Sequence, residues 1–446
     1  MTLPRALAPL RHRSYRLLAA AMALSLLTQG LWAIAMVWQV VALDGGPGAL
    51  SLVAALGSGG MLVMTLLGGA LADRVPQRHL LLLVALLQGG ATSVAAGLSL
   101  TGVLELWHLA VVALVDGAAL GLFYPAYSAL VPALVPEGDL LAVNGLEGAV
   151  RPVLGQAAGP AVAGFLVAAW SPGAAMAGTA ATAFLAAGFL LALPLTPVRR
   201  EHADGAPPPG LVADVREGVR YVVATPWLLA TLLFAAVMLL AFMGPFEVLV
   251  PFAIEDAGGG ASQHAWVLAA FGLGGALGSL LVASWRLPRR YLTVMNLLWG
   301  VGCVPMVVFG FTTDLGIMLV AAAAVGATFQ AGMVIWGTLL QRRVPAALLG
   351  RVSSLDFFVS LSLMPLSMAL AGPLSELVGR SGAFLVAGLA PPVFAVVAIW
   401  AARLPADELA HPLDVGRPEP EPSSAAWMGD DGAGTAPARE GEPWLS

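Results

Sequence analysis

The chain has 446 residues, is 59% hydrophobic and only 11% charged, and has a mean hydropathy of +0.87. A soluble domain carries about a quarter charged residues, so most of this chain must face something other than water. The net charge of −5 owes much to the C-terminal tail, and no basic face suited to nucleic acid is present. All 21 basic residues are arginine, and the lone Cys303 rules out an intrachain disulfide or a cysteine-based metal site. Set in an apolar stretch, Cys303 reads as a buried packing residue.

Crossing a bilayer takes about 20 apolar residues at helical rise. Twelve stretches reach that length: 15–43, 49–72, 79–100, 105–132, 140–169, 173–195, 226–254, 263–285, 291–312, 315–340, 346–378 and 382–403. The first, from Leu17 to Leu43, is too long for the core of a cleavable signal peptide and is expected to stay as a span. Arg5, Arg11, Arg13 and Arg16 precede it, and Arg74 and Arg78 follow the second span. Arg199, Arg200, Arg216 and Arg220 lie between the sixth and seventh spans, and Arg286, Arg289, Arg290, Arg342, Arg343, Arg351 and Arg403 mark later connections on the same side. On the opposite side only Arg380 stands among Asp44, Glu105, Glu255, Asp256, Asp314 and Glu376. Arginine bias therefore predicts a cytoplasmic-membrane protein with both termini in the cytoplasm.

Residues 196–225 form the longest internal connection. Its first part, VRREHADGAPPPG, is polar and flexible; LVADVREGVRYVV then places Leu211, Val212, Val215, Val219 and Val222 on one helical face. This predicts a short amphipathic helix on the membrane surface. The Pro/Glu/Gly-rich tail, 404–446, reads as disordered.

Sliding the chain along itself shows an internal repeat. At an offset of 212, DRVPQRHL (73–80) meets WRLPRRYL (285–292); at 209, VPEGDLLAVNGLE (135–147) meets VPAALLGRVSSLD (344–356). The matches fall in the same order at nearly the same spacing. They predict an all-α fold of twelve transmembrane helices in two six-helix bundles, 1–195 and 226–403. Parallel halves of this kind are a transporter architecture, with the substrate site between them near the midplane.

At this point the chain resembles the major facilitator superfamily over residues 10–403. Gly69-x-x-x-Asp73-Arg74-x-x-x-Arg78 is similar to the family's loop signature after the second helix, with Pro76 in place of a glycine and Gln77 in place of a basic residue. Gly155-x-x-x-Gly159-Pro160-x-x-Ala163-Gly164 resembles the fifth-helix signature of the family's antiporters, with Ala163 for a glycine. VREGVRYVVATPWL (215–228) and LGRVSSLD (349–356) resemble the bacterial exporter branch that includes the enterobactin exporter and macrolide efflux pumps. The resemblance implies alternating access, proton antiport without a bound cofactor, and a working monomer. Gly69, Asp73, Arg74 and Arg78 are the gating candidates, on the hypothesis that Asp73 with its neighbouring arginines latches the first half to helices of the second in the outward-open state. An arginine often found on the family's fourth helix is missing here.

Ionisable residues inside spans are costly and default to function. Asp116 lies about 16 Å along the fourth span by helix rise. Glu147 and Arg151 stand one turn apart on the fifth, acid first, and Asp356 holds the matching place on the eleventh. Asp116 or Glu147 could carry the exchanged proton with Arg151 tuning it; alternatively Arg151 closes a permanent ion pair. Glu247, just after Gly244-Pro245, lies toward the outer end of the seventh span. Gly155, Gly159 and Ala163 lie on one face at i,i+4 spacing, with Pro160 able to kink the helix, and suggest a close seam between the halves or ordinary helix packing. Gln29, Trp32, Tyr124, Phe246, Gln330 and Trp336 are cavity candidates for a largely apolar small molecule.

No Gly-x-Ser-x-Gly, P-loop or His-Glu-x-x-His occurs, and the six histidines are scattered. The expected activity is export of a drug or secondary metabolite, with a dedicated siderophore exporter as the rival. A membrane sensor or enzyme is the alternative of another class.

Overall fold

A computed structural model describes residues 9–72, 75–136, 139–194, 211–284 and 287–413, and all the regular structure among them is helical. With no water in hydrocarbon to serve N–H and C=O groups, a helix is the way for one segment to satisfy its own backbone. The first half holds α1 (Arg13–Ala42), α2 (Pro47–Ala72), α3 (Gln77–Leu100), α4 (Leu106–Leu134), a three-part α5 and α6 (Pro172–Leu191). The parts of α5 are Leu140–Arg151, a π-helical segment Pro152–Ala158, and Gly159–Ala169. The linker carries α7 (Leu211–Ala224). The second half begins with α8, built from Pro226–Gly244, the π-helical Pro245–Leu249 and Val250–Asp256. It continues through α9 (Ala261–Ser284), α10 (Tyr291–Gly302, extended by the 3₁₀ turns Val304–Gly310), α11 (Leu315–Arg343), α12 (Ala346–Ser362) and α13 (Met364–Ala401).

Eleven helical runs among the described residues are long and apolar enough to cross a membrane. The last of them, Arg351–Ala401, has 51 residues and would be about 75 Å long if straight, more than two hydrocarbon thicknesses. Gly379, at φ 74, turns the chain inside it, in a backbone conformation that glycine adopts without a Cβ penalty. Twelve crossings result, as the sequence predicts.

Both π-helical segments sit just before a proline. Pro160 offers no N–H to the carbonyl of Gln156, and Pro251 offers none to that of Glu247, so the wider turns fall where the α-helical ladder is interrupted.

The halves meet where α2 packs on α13 and where α5 packs on α9. Among the described residues, two hydrogen bonds join them at the end of the bundle away from the described termini. Gly372 N donates to Ser51 Oγ (2.7 Å), and Ser262 Oγ donates to the Gly164 carbonyl (3.3 Å). At the terminus-bearing end, Arg11 and His12 bind Asp139 (3.0 and 3.2 Å). The Arg11 guanidinium, helped by His12, holds that carboxyl below its ordinary range. The linker helix does more than lie on a surface: Glu217 pairs with Arg351 (2.7 Å), and Gly218 faces Leu355 of α12.

The reading of 404–446 as disordered is corrected for its first residues. Leu404–Ala410 forms α14, with Pro405 in its first turn, where a proline favours helix rather than tail. Leu404 and Glu408 are fully buried. Glu408 accepts from Leu292 N (2.8 Å), Thr293 N (3.2 Å) and Thr293 Oγ1 (2.6 Å), which serves the orphan donors at the start of α10. Arg343 pairs with Asp407 and stacks over Trp227 at 4.6 Å. Residues 414–446 lie outside the described residues.

Glu408→Ala strands buried donors at about 1–3 kcal/mol per group. Thermal unfolding of the purified protein in detergent should show a clear loss of stability, while Glu408→Gln, which keeps an acceptor oxygen, should lose less.

Candidate functional site

A cavity of about 230 Å³ lies between the halves. The first half lines it with Trp32 and Met36 of α1, Ser58 and Met61 of α2, and Asp116 of α4; the second lines it with Glu247 of α8 and Met368 of α13. Asp116 is 6% exposed, and Gln88 Nε2 of α3 donates to its Oδ1 at 2.9 Å. No partner for its Oδ2 is found among the described residues. Glu247 projects from the π-helical segment of α8 and makes no hydrogen bond or ion pair among the described residues.

Glu147 and Asp356 are held differently. Tyr127 on α4 donates to Glu147 (2.6 Å), and Trp336 Nε1 on α11 donates to Asp356 (2.9 Å). Each donor precedes its acid by 20 residues, and an offset of 209 carries one pair onto the other. The duplication therefore keeps an aromatic donor facing a carboxylate while changing both residue types. Arg151 closes an ion pair with Glu147 (3.3 Å) and lies 5.0 Å over the Tyr124 ring. The acid–arginine pairing expected from their spacing is present, and Asp116 takes no part in it.

Several predicted site residues fall elsewhere. Of the six cavity candidates only Trp32 lines this space. Trp336 is engaged with Asp356 and Tyr124 with Arg151, while Phe246 is buried among Phe242 and Phe271. Gln29 and Gln330 are partly buried on α1 and α11. Gly159 of the fifth-helix motif packs against Gly30 of α1, inside its own half; a Cβ there would come within 2.8 Å of the Gly30 Cα. A Cβ at Gly155 would meet Leu26 loosely, but the Gly155 carbonyl also lies against Gly30, 2.7 Å from where a Cβ would sit there. The seam between halves is made instead by Gly164, against Ala261, Ser262 and Ala265 of α9, and by Gln156 against Gly272. Pro160 is buried beside Gly159 and sets the π-helical segment described above.

Arg78 donates to the carbonyls of Leu190 (3.0 Å) and Leu191 (2.8 Å), and so caps α6 within the first half rather than reaching the second. Gly69 is a helical residue of α2. Asp73 and Arg74 lie outside the described residues, as do Trp285 and Arg286 in the second copy. Gln88 escaped sequence reasoning; its signal was a carboxamide inside an otherwise apolar third span.

With two halves, a central cavity and carboxylates within it, comparison with known proteins becomes decisive. Residues 4–426 match the family of transmembrane secretion effectors within the major facilitator superfamily. The chain belongs to that family. It is 30% identical over 390 residues to the multidrug efflux pump Tap of Mycolicibacterium fortuitum, covering 84% of this chain and 92% of the relative. It is 28% identical over 351 residues to the enterobactin exporter EntS of Escherichia coli, covering 77% and 81%. Among solved structures, the nucleoside transporter NupG (D323A mutant) superposes with a TM-score of 0.68 at 13% identity, over 87% of this chain and 99% of that one. A D-xylose–proton symporter gives 0.66 at 15% identity, over 86% and 96%. These likenesses establish the fold. The chain is a multi-pass membrane transporter and not an enzyme.

Leucine at position 164 has no room against α9 and should open the seam. A cysteine at Ser262 should then react with maleimide several-fold faster in the Gly164→Leu background than alone, since Cys303 is buried. An unchanged rate would separate Gly164 from closure. Gly30→Leu should instead reduce the yield of folded protein.

Proposed function

We propose that this protein exports small organic molecules from the cytoplasm across the bacterial cytoplasmic membrane, exchanging them for protons by alternating access. The cavity shared by the two halves supports this reading most directly, because rocking one half against the other exposes such a space to each side in turn. Names of the two relatives support the outward direction, since one is an efflux pump and the other an exporter. Arginine bias orients the described termini to the cytoplasm. The Ser51–Gly372 and Gly164–Ser262 contacts then close the outer side in this conformation. We take the monomer as the working unit, with each site built from one chain.

Among the acids considered for coupling, Asp116 is favoured. Glu147 is held by Tyr127 and Arg151 and Asp356 by Trp336, whereas Asp116 lines the cavity with one oxygen unpartnered. A carboxylate in that position can bind a proton from whichever side the cavity faces. Glu147 and Asp356 then act as fasteners of α4 to α5 and of α11 to α12.

A strain lacking other exporters, carrying this protein and challenged with a panel of antibiotics beside metabolite profiling of its medium, identifies what leaves the cell. In inverted vesicles, uptake of the compound so identified should collapse on dissipating the pH gradient and fall to background in Asp116→Asn. Glu147→Gln should retain coupling with reduced stability. Gradient-driven uptake that survives Asp116→Asn would overturn the assignment of the proton to this residue.

A further inference from the structure

We infer that the central cavity is a receptor for organic cations, gripped between one carboxylate from each half, and that Glu247 is a residue that selects them. The inference rests on the exporter reading and narrows its substrate class. Asp116 enters the cavity from α4 and Glu247 from α8, so a positive ligand between them is bound by both halves at once. Among the described residues no arginine or histidine lines the space. Arg151, carried within α5, is already paired with Glu147 and stacked on Tyr124.

Charge balance carries the argument. Two carboxylates taken out of water cost several kcal/mol each unless protonated or paired, and among the described residues the only partner is the Gln88 amide, to one oxygen of one of them. Asp116 is 6% exposed, lines the cavity, and has no partner for its Oδ2 among the described residues. An organic cation meets the deficit that the chain leaves. The rest of the lining suits the same ligand: Trp32 offers an aromatic ring, whose face attracts cations, and Met36, Met61, Met364 and Met368 are flexible and polarisable. Such methionines re-pack around different shapes, which allows breadth of substrate without loss of the charge requirement. An anion, such as a carboxylate- or catecholate-bearing chelator, would face two like charges and no counter-ion. The cavity therefore favours a drug-like cation over an anionic siderophore.

Equilibrium binding to the purified full chain in detergent, with protein-free micelles as the blank, tests this without requiring transport. The probes are tetraphenylphosphonium and the smaller benzyltrimethylammonium, set against anions of matching bulk, tetraphenylborate and phenylmethanesulfonate. Saturable binding is expected for a cation and not for its matched anion. Glu247→Gln should weaken cation binding by about 30-fold or more, the low end of what removing one partner of a buried charge pair costs. Glu247→Asp, which keeps the charge, should retain most of the affinity, with size-exclusion profiles compared to show that both variants fold. Anion binding equal to or tighter than cation binding, no saturable cation binding, or a Glu247→Gln variant with wild-type affinity would each overturn the inference. None of these results would touch the exporter reading, because efflux by intact cells is measured separately.

Discussion

Helices in a bilayer gain little from burying apolar surface against one another, because lipid is as apolar as they are. Close backbone approach has to supply the adhesion, and the rest of this structure depends on where small residues allow it. Gly117 of α4 meets the backbone of Gly57 of α2, and Gly326 of α11 meets the backbone of Phe271 of α9 at the equivalent place in the second half. A Cβ at either glycine would collide with main chain that cannot move aside. These contacts make each half a tight unit, while the joint between the described parts of the halves is concentrated in the α2–α13 and α5–α9 seams. Tight halves and a limited joint are what a rocking mechanism requires.

The same low-dielectric surroundings govern the acids. Glu147 and Asp356 are satisfied by aromatic donors of their own halves and can remain where they are through a conformational cycle. Asp116 and Glu247 face the space between halves, so their surroundings change whenever the halves move. Fold support and candidate chemistry are thereby divided among four carboxylates that look alike in the sequence. What separates them is whether each donor lies inside a half or would have to come from the substrate.

Much of this was legible before any coordinates. The twelve spans, the two halves and the offset of 209 that relates Glu147 to Asp356 follow from hydropathy and self-comparison. Gly159 misleads for a definite reason: spacing shows that a glycine face exists, but not whether α1 of the same half or α9 of the other packs on it. Trp336 and Tyr124 look like cavity aromatics because an aromatic in a span carries no mark of its partner; one turns to Asp356 and the other to Arg151. Leu404–Ala410 was hidden by its proline and its acids, whose partners lie more than a hundred residues away at Leu292 and Thr293.

By itself the sequence determined the membrane class, the number of crossings, their division into halves and the inventory of interior charges. Hydrocarbon imposes length and composition on every segment locally, and local constraints can be read along a chain. Tertiary structure alone decided which charges share a cavity. That Asp116 and Glu247 meet there, while Glu147 and Asp356 are tied back, depends on how helices 20 to 130 residues apart pack together.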